Sequence, residues 1–349
     1  MSELLDKVLE LKGSDLHIAA GYPPTIRVDD ILKPVGDPLT KEEVKNFVFQ
    51  SLSQGHKELL EINKEVDLSY QHEDKARFRI NAYFERNSYA AAYRLIPQRI
   101  RSLAELGLPN ILLEFTKYSQ GLFLVTGPTG SGKSTTLAAM IQHINETEAK
   151  HILTIEDPIE YVYPKAKAFV SQREIGTDTH DWNIALRSAL REDLDVILVG
   201  ELRDLETIQS ALTLSETGHL VFATLHTNSA AQSIDRIIDV FPPHQQEQIK
   251  NQLAGVLKGI LSQRLVPLIG GGRKAVIELM IVTPAIQNLI REGKVFQIDN
   301  VIATSADLGM IQLEKSLVQL IRAGAITVDT AFEYAIRPNE LQKMLKINM

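Results

Sequence analysis

The 349-residue sequence contains no cysteine and only one tryptophan. Without cysteine, the chain cannot form a disulfide framework, a thiolate nucleophile, an iron–sulfur cluster or a cysteine-ligated zinc site. Long apolar runs are also missing, because no stretch reaches the roughly 18 residues that a membrane-spanning helix needs. The amino-terminal segment is acidic and predicts an amphipathic helix, not a signal peptide. We therefore expect a cytoplasmic protein without a membrane span.

Positive charge is in slight deficit, with 37 Lys and Arg against 44 Asp and Glu, and the formal net charge is −7. This balance argues against nucleic acid as a partner, since phosphate backbones attract basic surfaces. Hydrophobic residues make up 44% and charged residues 23% of the chain, which is typical of globular proteins. The length predicts about two domains.

The first hundred residues predict a small α+β domain. Segments 14–20 and 25–35 alternate apolar and polar residues around a turn, which is typical of strands. Thr40 and Glu43 have the spacing of a capping box and predict a helix. Residues 76–97 predict a hairpin with its turn near residues 86–88. The predicted boundaries are a first domain at 1–98, a linker at 99–108 and a second domain at 109–349.

The second domain alternates apolar segments with helical ones. The alternation indicates βαβ units and a parallel sheet that is covered on both faces. From about residue 230 the pattern predicts mostly helices, interrupted by a hairpin at residues 265–282. The buried strands of the sheet are predicted at residues 121–127, 151–156, 195–201 and 219–226.

A glycine-rich motif follows the first of these strands. Residues 127–134 read GPTGSGKS and match G-x-x-x-x-G-K-[ST], with a strand before them and a helix after them. The glycines let backbone N–H groups point at phosphate oxygens, assisted by the positive end of the helix. We expect Lys133 to reach the β- and γ-phosphates and Ser134 to ligand Mg²⁺. The predicted nucleotide-binding residues of this loop are Gly127, Pro128, Thr129, Gly130, Ser131, Gly132, Lys133, Ser134 and Thr135.

Acidic residues follow two of the other strands. Glu156 and Glu160 come after the second strand, and Glu201 comes after the third. Ligands of open parallel sheets sit outside the carboxyl ends of the strands, so these acids and the loop should share one edge. Phosphoryl transfer depends mainly on positioning and charge stabilisation. We assign the orientation of the attacking water to Glu201, assisted by Glu156 and Glu160, because Asp195 lies at the other end of its strand.

Two histidines flank the fourth strand. His219 precedes it and His226 follows it, and at about 3.3 Å per residue they are too far apart to share a metal ion. His226 lies at the expected active edge, so we assign it a role in sensing the γ-phosphate or a neighbouring subunit. Arg203, just after Glu201, is a further candidate for stabilising charge in the transition state.

Four segments appear in the order GPTGSGKST, ILTIEDPIEYV, DVILVGELRD and TGHLVFATLHTNSAAQSIDRIIDVFP. They resemble the phosphate loop, acidic box, modified second nucleotide motif and histidine box of the secretion and pilus ATPase superfamily. Within it, the short cysteine-free chain and the segment PAIQNLIREGK resemble the type IV pilus retraction ATPases. The sequence departs from that pattern at Gln287, where the family has arginine, and at Leu194, where it usually has proline.

This resemblance implies an α/β fold with a RecA-like parallel-sheet P-loop ATPase domain, preceded by a smaller α+β PAS-like domain. It implies a homohexamer that hydrolyses ATP with Mg²⁺ and drives pilus retraction, the disassembly that underlies twitching motility. Arg79 and Arg94 match, in order and separation, the arginines of the family that act on the phosphates. His219 falls in the histidine box as a further candidate for nucleotide binding. Force would pass to an inner-membrane platform protein, since no membrane span is expected.

Three alternatives stay open at this point. A pilus extension or type II secretion ATPase would share the four segments, although such members typically carry a tetracysteine zinc insertion that this chain lacks. A DNA translocase with a RecA-like core is disfavoured by the acidic charge and by the absence of a basic and aromatic strip. A nucleotide-binding regulator without turnover is disfavoured by the acids at the strand ends.

Overall fold

The computed structural model describes residues 1–28, 31–96 and 99–346. Pro97 and Gln98, at the end of the predicted first domain, lie outside the described residues. The linker at residues 99–108 stays a prediction.

The chain divides into two compact units. Unit 1 comprises Met1–Arg99 and Asp157–Val162, and unit 2 comprises Ile100–Glu156 and Tyr163–Met349. The segment Asp157–Val162, which the sequence analysis placed in the second domain, groups with unit 1. It carries Glu160, one of the acids predicted to act at the strand ends.

Unit 1 contains one antiparallel sheet of six strands in the order β3-β2-β1-β6-β5-β4. The elements in chain order are α1 (Ser2–Glu10), β1 (Asp15–Ala19), β2 (Thr25–Val28), β3 (Ile31–Pro34), α2 (Lys41–Gln50), α3 (Gln54–Asn63), β4 (Glu65–His72), β5 (Ala76–Glu85) and β6 (Ser88–Ile96).

The capping box and the hairpin that the sequence predicts in unit 1 are both present in the structure. Thr40 and Glu43 form the predicted capping box, in which each side chain bonds the backbone N–H of the other residue. β5 and β6 form the predicted hairpin, with Arg86 and Asn87 at positive φ in its turn. The sequence analysis assigned neither α3 nor β4, although the apolar residues of β4 alternate as they do in the other strands.

One face of this sheet is apolar and packs against helices. Phe78 and Ile80 of β5 and Tyr93 of β6 are fully buried in a cluster with apolar residues of α1 and α2. Side chains alternate across a strand, so the intervening residues Arg79 and Arg94 fall on the opposite face. Packing of the apolar face therefore leaves the two arginines together on the other face of the sheet.

Unit 2 is built around a seven-stranded sheet in the order β13-β12-β7-β11-β10-β8-β9. Its strands are β7 (Gly121–Thr126), β8 (His151–Glu156), β9 (Phe169–Glu174), β10 (Val196–Val199), β11 (Leu220–Leu225), β12 (Leu257–Pro267) and β13 (Arg273–Ile281). The α-helices are α4 (Lys133–Thr147), α5 (Trp182–Ala189), α6 (Leu205–Glu216), α7 (Ala230–Asp239), α8 (Pro243–Val256), α9 (Pro284–Arg291), α10 (Ile298–Thr304), α11 (Leu313–Arg322), α12 (Val328–Tyr334) and α13 (Pro338–Leu345). Short 3-10 helices lie at Asn110–Lys117, Val295–Gln297 and Ala306–Leu308.

The predicted parallel sheet is confirmed. Every pairing from β12 across to β9 is parallel, and β13 pairs antiparallel with β12. β7, β10 and β11 are buried along their whole length because helices cover both faces of the sheet. The carboxyl ends of β7, β8, β10 and β11 therefore meet at one edge.

Two strands differ from the prediction. β12 begins at Leu257, eight residues before the predicted hairpin, and pairs with β7 in the main sheet. A short buried apolar run is compatible with either a helix or a strand, which explains the error in this segment. β9 was not predicted, because its sequence FVSQRE is partly exposed at the sheet edge and has no apolar run.

A partly buried group of charged residues connects the carboxyl-terminal elements. Arg337 contacts Glu278 of β13 at 2.8 Å, Glu314 of α11 at 3.3 Å and Asp299 of α10. Both glutamates are fully buried, and burial raises the pKa of Glu278. Glu278 also accepts a hydrogen bond from the backbone N–H of Ala230 at the start of α7. One cation thus compensates charges on three elements.

Replacing Arg337 with methionine should destabilise unit 2 strongly. Methionine keeps much of the apolar volume, but it leaves Glu278 and Glu314 buried without their cation. We expect Arg337→Met to lower the free energy of unfolding by about 3–5 kcal/mol, measured by urea denaturation. Arg322→Met, at an exposed position on α11, is the matched control and should change it by less than about 0.5 kcal/mol. Equal losses in both variants would contradict the role of this ion group.

Candidate functional site

The glycine-rich loop connects β7 to α4 as predicted. Gly127, Gly130 and Gly132 adopt positive φ values of 143°, 76° and 89°, which side chains rarely tolerate. Lys133 is 8% exposed, and its Nζ donates to the carbonyl oxygens of Gly127 at 2.8 Å and Pro128 at 3.1 Å. The ammonium group therefore lies inside the curl of the loop, at the amino-terminal end of α4.

Glu201 contacts both Arg203 and His226 beyond the ends of β10 and β11. Glu201 Oε2 accepts from Arg203 Nε at 2.7 Å, and Glu201 Oε1 lies 3.4 Å from His226 Nε2. Each oxygen of the carboxylate has a different partner, so its orientation is defined. The sequence analysis predicted all three residues at this edge, and the structure brings them together.

Backbone contacts hold the segment that carries Glu201. Thr224 Oγ1 of β11 donates to the carbonyl oxygen of Gly200 at 2.5 Å, and the N–H of Leu202 donates to the Thr224 carbonyl at 3.0 Å. A side chain at Gly200 would come within 3.3 Å of the Trp182 ring. The Gly-Glu pair therefore lets the backbone pass close to α5 while presenting the carboxylate at the edge.

The two other predicted acids have different surroundings. Glu156, at the end of β8, is 8% exposed and accepts hydrogen bonds from Thr154 at 2.7 Å and Gln172 at 3.4 Å. Glu160 lies in unit 1, where its charge acts on Arg79. The contacts described for these two glutamates do not include Glu201.

The arginines predicted from the resemblance lie opposite each other in unit 1. Arg79 of β5 and Arg94 of β6 are directly paired in the hairpin register. Arg79 Nε donates to both oxygens of Asp67 at 3.2 Å, and Arg94 Nε donates to Asp15 at 2.9 Å. Like charges at opposed positions repel, and these two acids offset that repulsion.

The acids also define the charge state of this face. Hydrogen bonds to Asp67 raise the pKa of Arg79, and the charges of Glu160 and Asp157 act in the same direction. Burial would raise the pKa of Asp15, but hydrogen bonds from Arg94 and Ser14 hold it below its ordinary value. Both pKa shifts favour the charged forms of Arg79 and Asp15.

His219 lies at the opposite edge of the parallel sheet. It precedes β11, whose first residue Leu220 pairs with Gly121 at the start of β7. Its Nδ1 lies 3.1 Å from the carbonyl oxygen of Leu214 and 3.3 Å from the hydroxyl of Thr217. The length of β7 separates it from the loop, so the structure does not bring His219 to the predicted nucleotide site.

Two cavities flank the loop within unit 2. One, of about 330 Å³, borders the start of α4, and the other, of about 620 Å³, borders the first half of the loop. The smaller is lined by Thr135 together with Leu106 and Leu268, and the larger by Arg264 and Tyr334. A concave surface with both apolar and cationic groups thus adjoins each side of the loop.

β12 contributes two side chains that the sequence analysis missed. Gln263 contacts the loop, and Arg264 donates to the carbonyl oxygen of Tyr334 and to Asn228. The sequence analysis missed both residues because it predicted mostly helices after residue 230, whereas they lie in a strand. The signal that could have found them is the pair of buried apolar residues Ile260 and Leu261 just before them, in the segment that extends the sheet beside β7.

Ser134 lies on the first turn of α4, and its side chain is partly exposed. Among the described residues, no group of three or more His, Cys, Asp or Glu side chains could hold a metal ion. No helix within those residues has both the length and the apolar character needed to cross a membrane. Of the two departures from the family pattern, Leu194 is buried and Gln287 lies partly exposed on α9.

Known proteins share this architecture along the whole chain. The family model of type II/IV secretion system proteins matches residues 1–323. The chain belongs to the type II/IV secretion system protein family. The predicted resemblance and fold class are therefore confirmed.

One curated relative and two solved structures illustrate the similarity. The type IV pilus retraction ATPase PilT of Pseudomonas aeruginosa is 47% identical over 339 residues, which cover 97% of this chain and 98% of PilT. A crystal structure of the pilus retraction motor PilT with bound ADP is 48% identical, with a TM-score of 0.92 over 99% of both chains. The ATPase DotB of Legionella pneumophila is 27% identical, with a TM-score of 0.83 over 95% of this chain and 94% of DotB.

Alanine substitutions should separate two kinds of glycine in the loop. At Gly127, a Cβ would lie 2.2 Å from the carbonyl oxygen of Gln263, in addition to the strain of positive φ. At Gly130, a Cβ would meet no atom within 4 Å, so only the strain remains. We expect Gly130→Ala to lower the free energy of unfolding by about 1–2 kcal/mol and Gly127→Ala by at least about 3 kcal/mol.

Gly218→Ala is the matched control outside the loop, because Gly218 also has positive φ and no neighbour within 4 Å. It should behave like Gly130→Ala in denaturant unfolding. Equal losses for Gly127→Ala and Gly218→Ala would show that β12 does not crowd the loop.

Proposed function

We propose that the chain is a motor ATPase that hydrolyses ATP to drive type IV pilus retraction. The observation that carries this proposal is the end-to-end similarity to PilT, together with the geometry of the loop and of Glu201. The proposal of retraction rests on the similarity to PilT. The proposal of ATP hydrolysis also rests on residues of this chain, namely the loop and Glu201.

The loop is suited to the phosphates of a nucleotide. Ser131 is 3% exposed, and its Oγ has no hydrogen-bond partner among the residues that the structure describes. A buried hydroxyl without a partner is costly, and a phosphate oxygen would satisfy it. Lys133 supplies positive charge at the same place, and the cavity next to Thr135 would receive the ribose and base.

Mg²⁺ fits this site as a partner of the phosphates. The ion commonly keeps several waters and binds substrate phosphates with one or two protein ligands, so a cage of acids is not needed. The hydroxyl of Ser134, at the start of α4, is the residue that would hold it. When bound, Mg²⁺ offsets negative charge on the phosphates.

Glu201 is the residue that would orient the attacking water. Its carboxylate lies at the edge where ligands of parallel sheets bind, and 24% of its side chain is exposed. Arg203 and His226 hold the two oxygens in place, so the carboxylate is positioned before the substrate arrives. Glu156 and Glu160 would assist by adding negative potential around the water.

Arg79 and Arg94 would supply positive charge as negative charge shifts in the transition state. They lie side by side on the face of the unit 1 sheet opposite its apolar core, where Asp67 contacts Arg79 and Asp15 contacts Arg94. We propose that they act on the nucleotide in a homohexamer, with domain motion passed to an inner-membrane platform protein. Light scattering tests the assembly, since six copies of the 39.0 kDa chain should scatter together.

Two substitutions should separate nucleotide binding from hydrolysis. Lys133→Ala removes the cation inside the loop and should abolish both ADP binding and ATP turnover. Glu201→Gln removes the negative charge but keeps the shape, so turnover should fall at least about 100-fold while ADP affinity stays within about threefold. Phosphate release measures turnover and calorimetry measures affinity.

Lys117→Ala and Glu247→Gln, which change exposed side chains, are the controls for these two variants. Both should turn over ATP at the rate of the unaltered protein. Unchanged turnover in Lys133→Ala and Glu201→Gln would remove the assignment of this site.

Deletion of the gene in its source organism tests the direction of the motor. If the protein drives retraction, cells should carry an excess of surface pili and lose surface motility. Electron microscopy counts the pili, and the unaltered gene, but not the Glu201→Gln gene, should restore the original number. Cells without pili would instead indicate an extension ATPase, and an unchanged number would indicate a redundant copy of the gene or a secretion task.

A further inference from the structure

Gln263, a buried glutamine on β12, contacts the glycine-rich loop. β12 runs beside β7, and Ser262 pairs with Thr126 through hydroxyl groups 2.8 Å apart. β7 ends at Thr126, whereas β12 continues past this point to Pro267. On the β7 side Gln263 therefore lies alongside the loop, while on its other side it pairs with Ile277 of β13, and it is 3% exposed.

The nitrogen and the oxygen of the Gln263 side-chain amide each form a hydrogen bond. Nε2 donates to the carbonyl oxygen of Ser131 at 2.7 Å, and Oε1 accepts from Thr136 Oγ1 at 2.7 Å. Ser131 belongs to the loop and Thr136 to the first turn of α4. One side chain thus connects the second half of the loop to the helix that follows it.

The bond to Ser131 also sets the direction of a neighbouring donor. In a trans peptide unit the carbonyl group and the following N–H point in opposite directions. The carbonyl group of Ser131 points at Gln263, so the N–H of Gly132 points away from β12. Backbone N–H groups of such loops bind phosphate when they point into the loop.

The close approach of Gln263 accounts for two of the loop glycines. A Cβ at Gly127 would lie 2.2 Å from the backbone oxygen of Gln263, and a Cβ at Gly132 would lie 2.7 Å from its Nε2. The contact is therefore close along the backbone and along the side chain. Glycine is required here by β12 as well as by the positive φ of both residues.

We propose that Gln263 is a positioning residue for the nucleotide site: it holds the Ser131 peptide so that the N–H of Gly132 faces the phosphates. It acts through the loop and does not itself touch the nucleotide. This inference rests on the proposed function in that it assumes nucleotide binding at the loop. It assigns to the strand after α8 a part in binding that the loop motif does not include.

Gln263→Glu tests the donor directly. At about pH 8 the carboxylate cannot donate to the Ser131 carbonyl, and it repels that oxygen, so ADP affinity should fall at least about tenfold. A protonated carboxyl group has one donor and one acceptor and can replace the amide in both bonds. Burial disfavours the charged form, so the variant should regain affinity relative to the unaltered protein at about pH 6. Calorimetry with ADP at both pH values measures the effect.

Gln263→Met keeps a similar shape without polar groups, so it keeps the test valid if the glutamate variant does not fold. It should lose ADP affinity to a similar extent and show no recovery at the lower pH. Ser262→Ala is the matched control, because it removes the neighbouring bond to Thr126 on the same strand. It should lower the urea midpoint of unfolding while ADP affinity stays within about twofold.

Two results would overturn the inference. One is ADP binding within about twofold of the unaltered protein by both Gln263 variants at both pH values. The other is a loss of affinity in Ser262→Ala as large as in Gln263→Met, since the effect would then follow strand stability alone. Failure of the unaltered protein to bind ADP would instead contradict the proposed function, and Lys133→Ala supplies the reference for absent binding.

Discussion

The pairing of β12 with β7 is the interaction on which the site of unit 2 depends. β7 delivers the loop, but it ends where the loop begins, so it cannot define the shape of the loop alone. β12 extends further and places Gln263 against the loop and the first turn of α4. The hydroxyl groups of Thr126 and Ser262 lie 2.8 Å apart where β7 ends, one residue before Gln263. The geometry of the phosphate site thus depends on residues more than a hundred positions apart.

β12 also links the loop to the carboxyl-terminal elements. It continues into β13, which carries Glu278, and Glu278 contacts both Arg337 and the start of α7. Arg264, next to Gln263, reaches the end of α12. The elements beyond the parallel sheet therefore contact the same strands that support the loop, although their own sequence contains no nucleotide motif.

Much of the fold could be predicted because its signals are local. The glycine-rich loop, the capping box of Thr40 and the hairpin turn near Arg86 each depend on a few consecutive residues. The buried strands β7, β10 and β11 were recognisable from continuous apolar runs. The grouping of Glu201 with His226 also followed, since the ends of adjacent parallel strands meet at one edge.

The remaining features depend on partners distant in the chain. β12 resembled a helix because only its pairing with β7 distinguishes the two. The role of Gln263 could not be predicted, because no local pattern shows which loop a glutamine side chain will reach. For the same reason His219, which falls within a recognisable segment, lies at the edge of the sheet far from the loop.

The ion group around Arg337 has a consequence for how this sequence can change over evolutionary time. Two of its carboxylates are fully buried, so a substitution that removes the cation leaves a defect that only further substitutions can repair. Substitutions at positions 278, 314 and 337 are therefore expected to depend on one another. A lineage that replaces the group with apolar residues one at a time is expected to pass through a less stable intermediate, and this disfavours single substitutions at residues that do not belong to the loop.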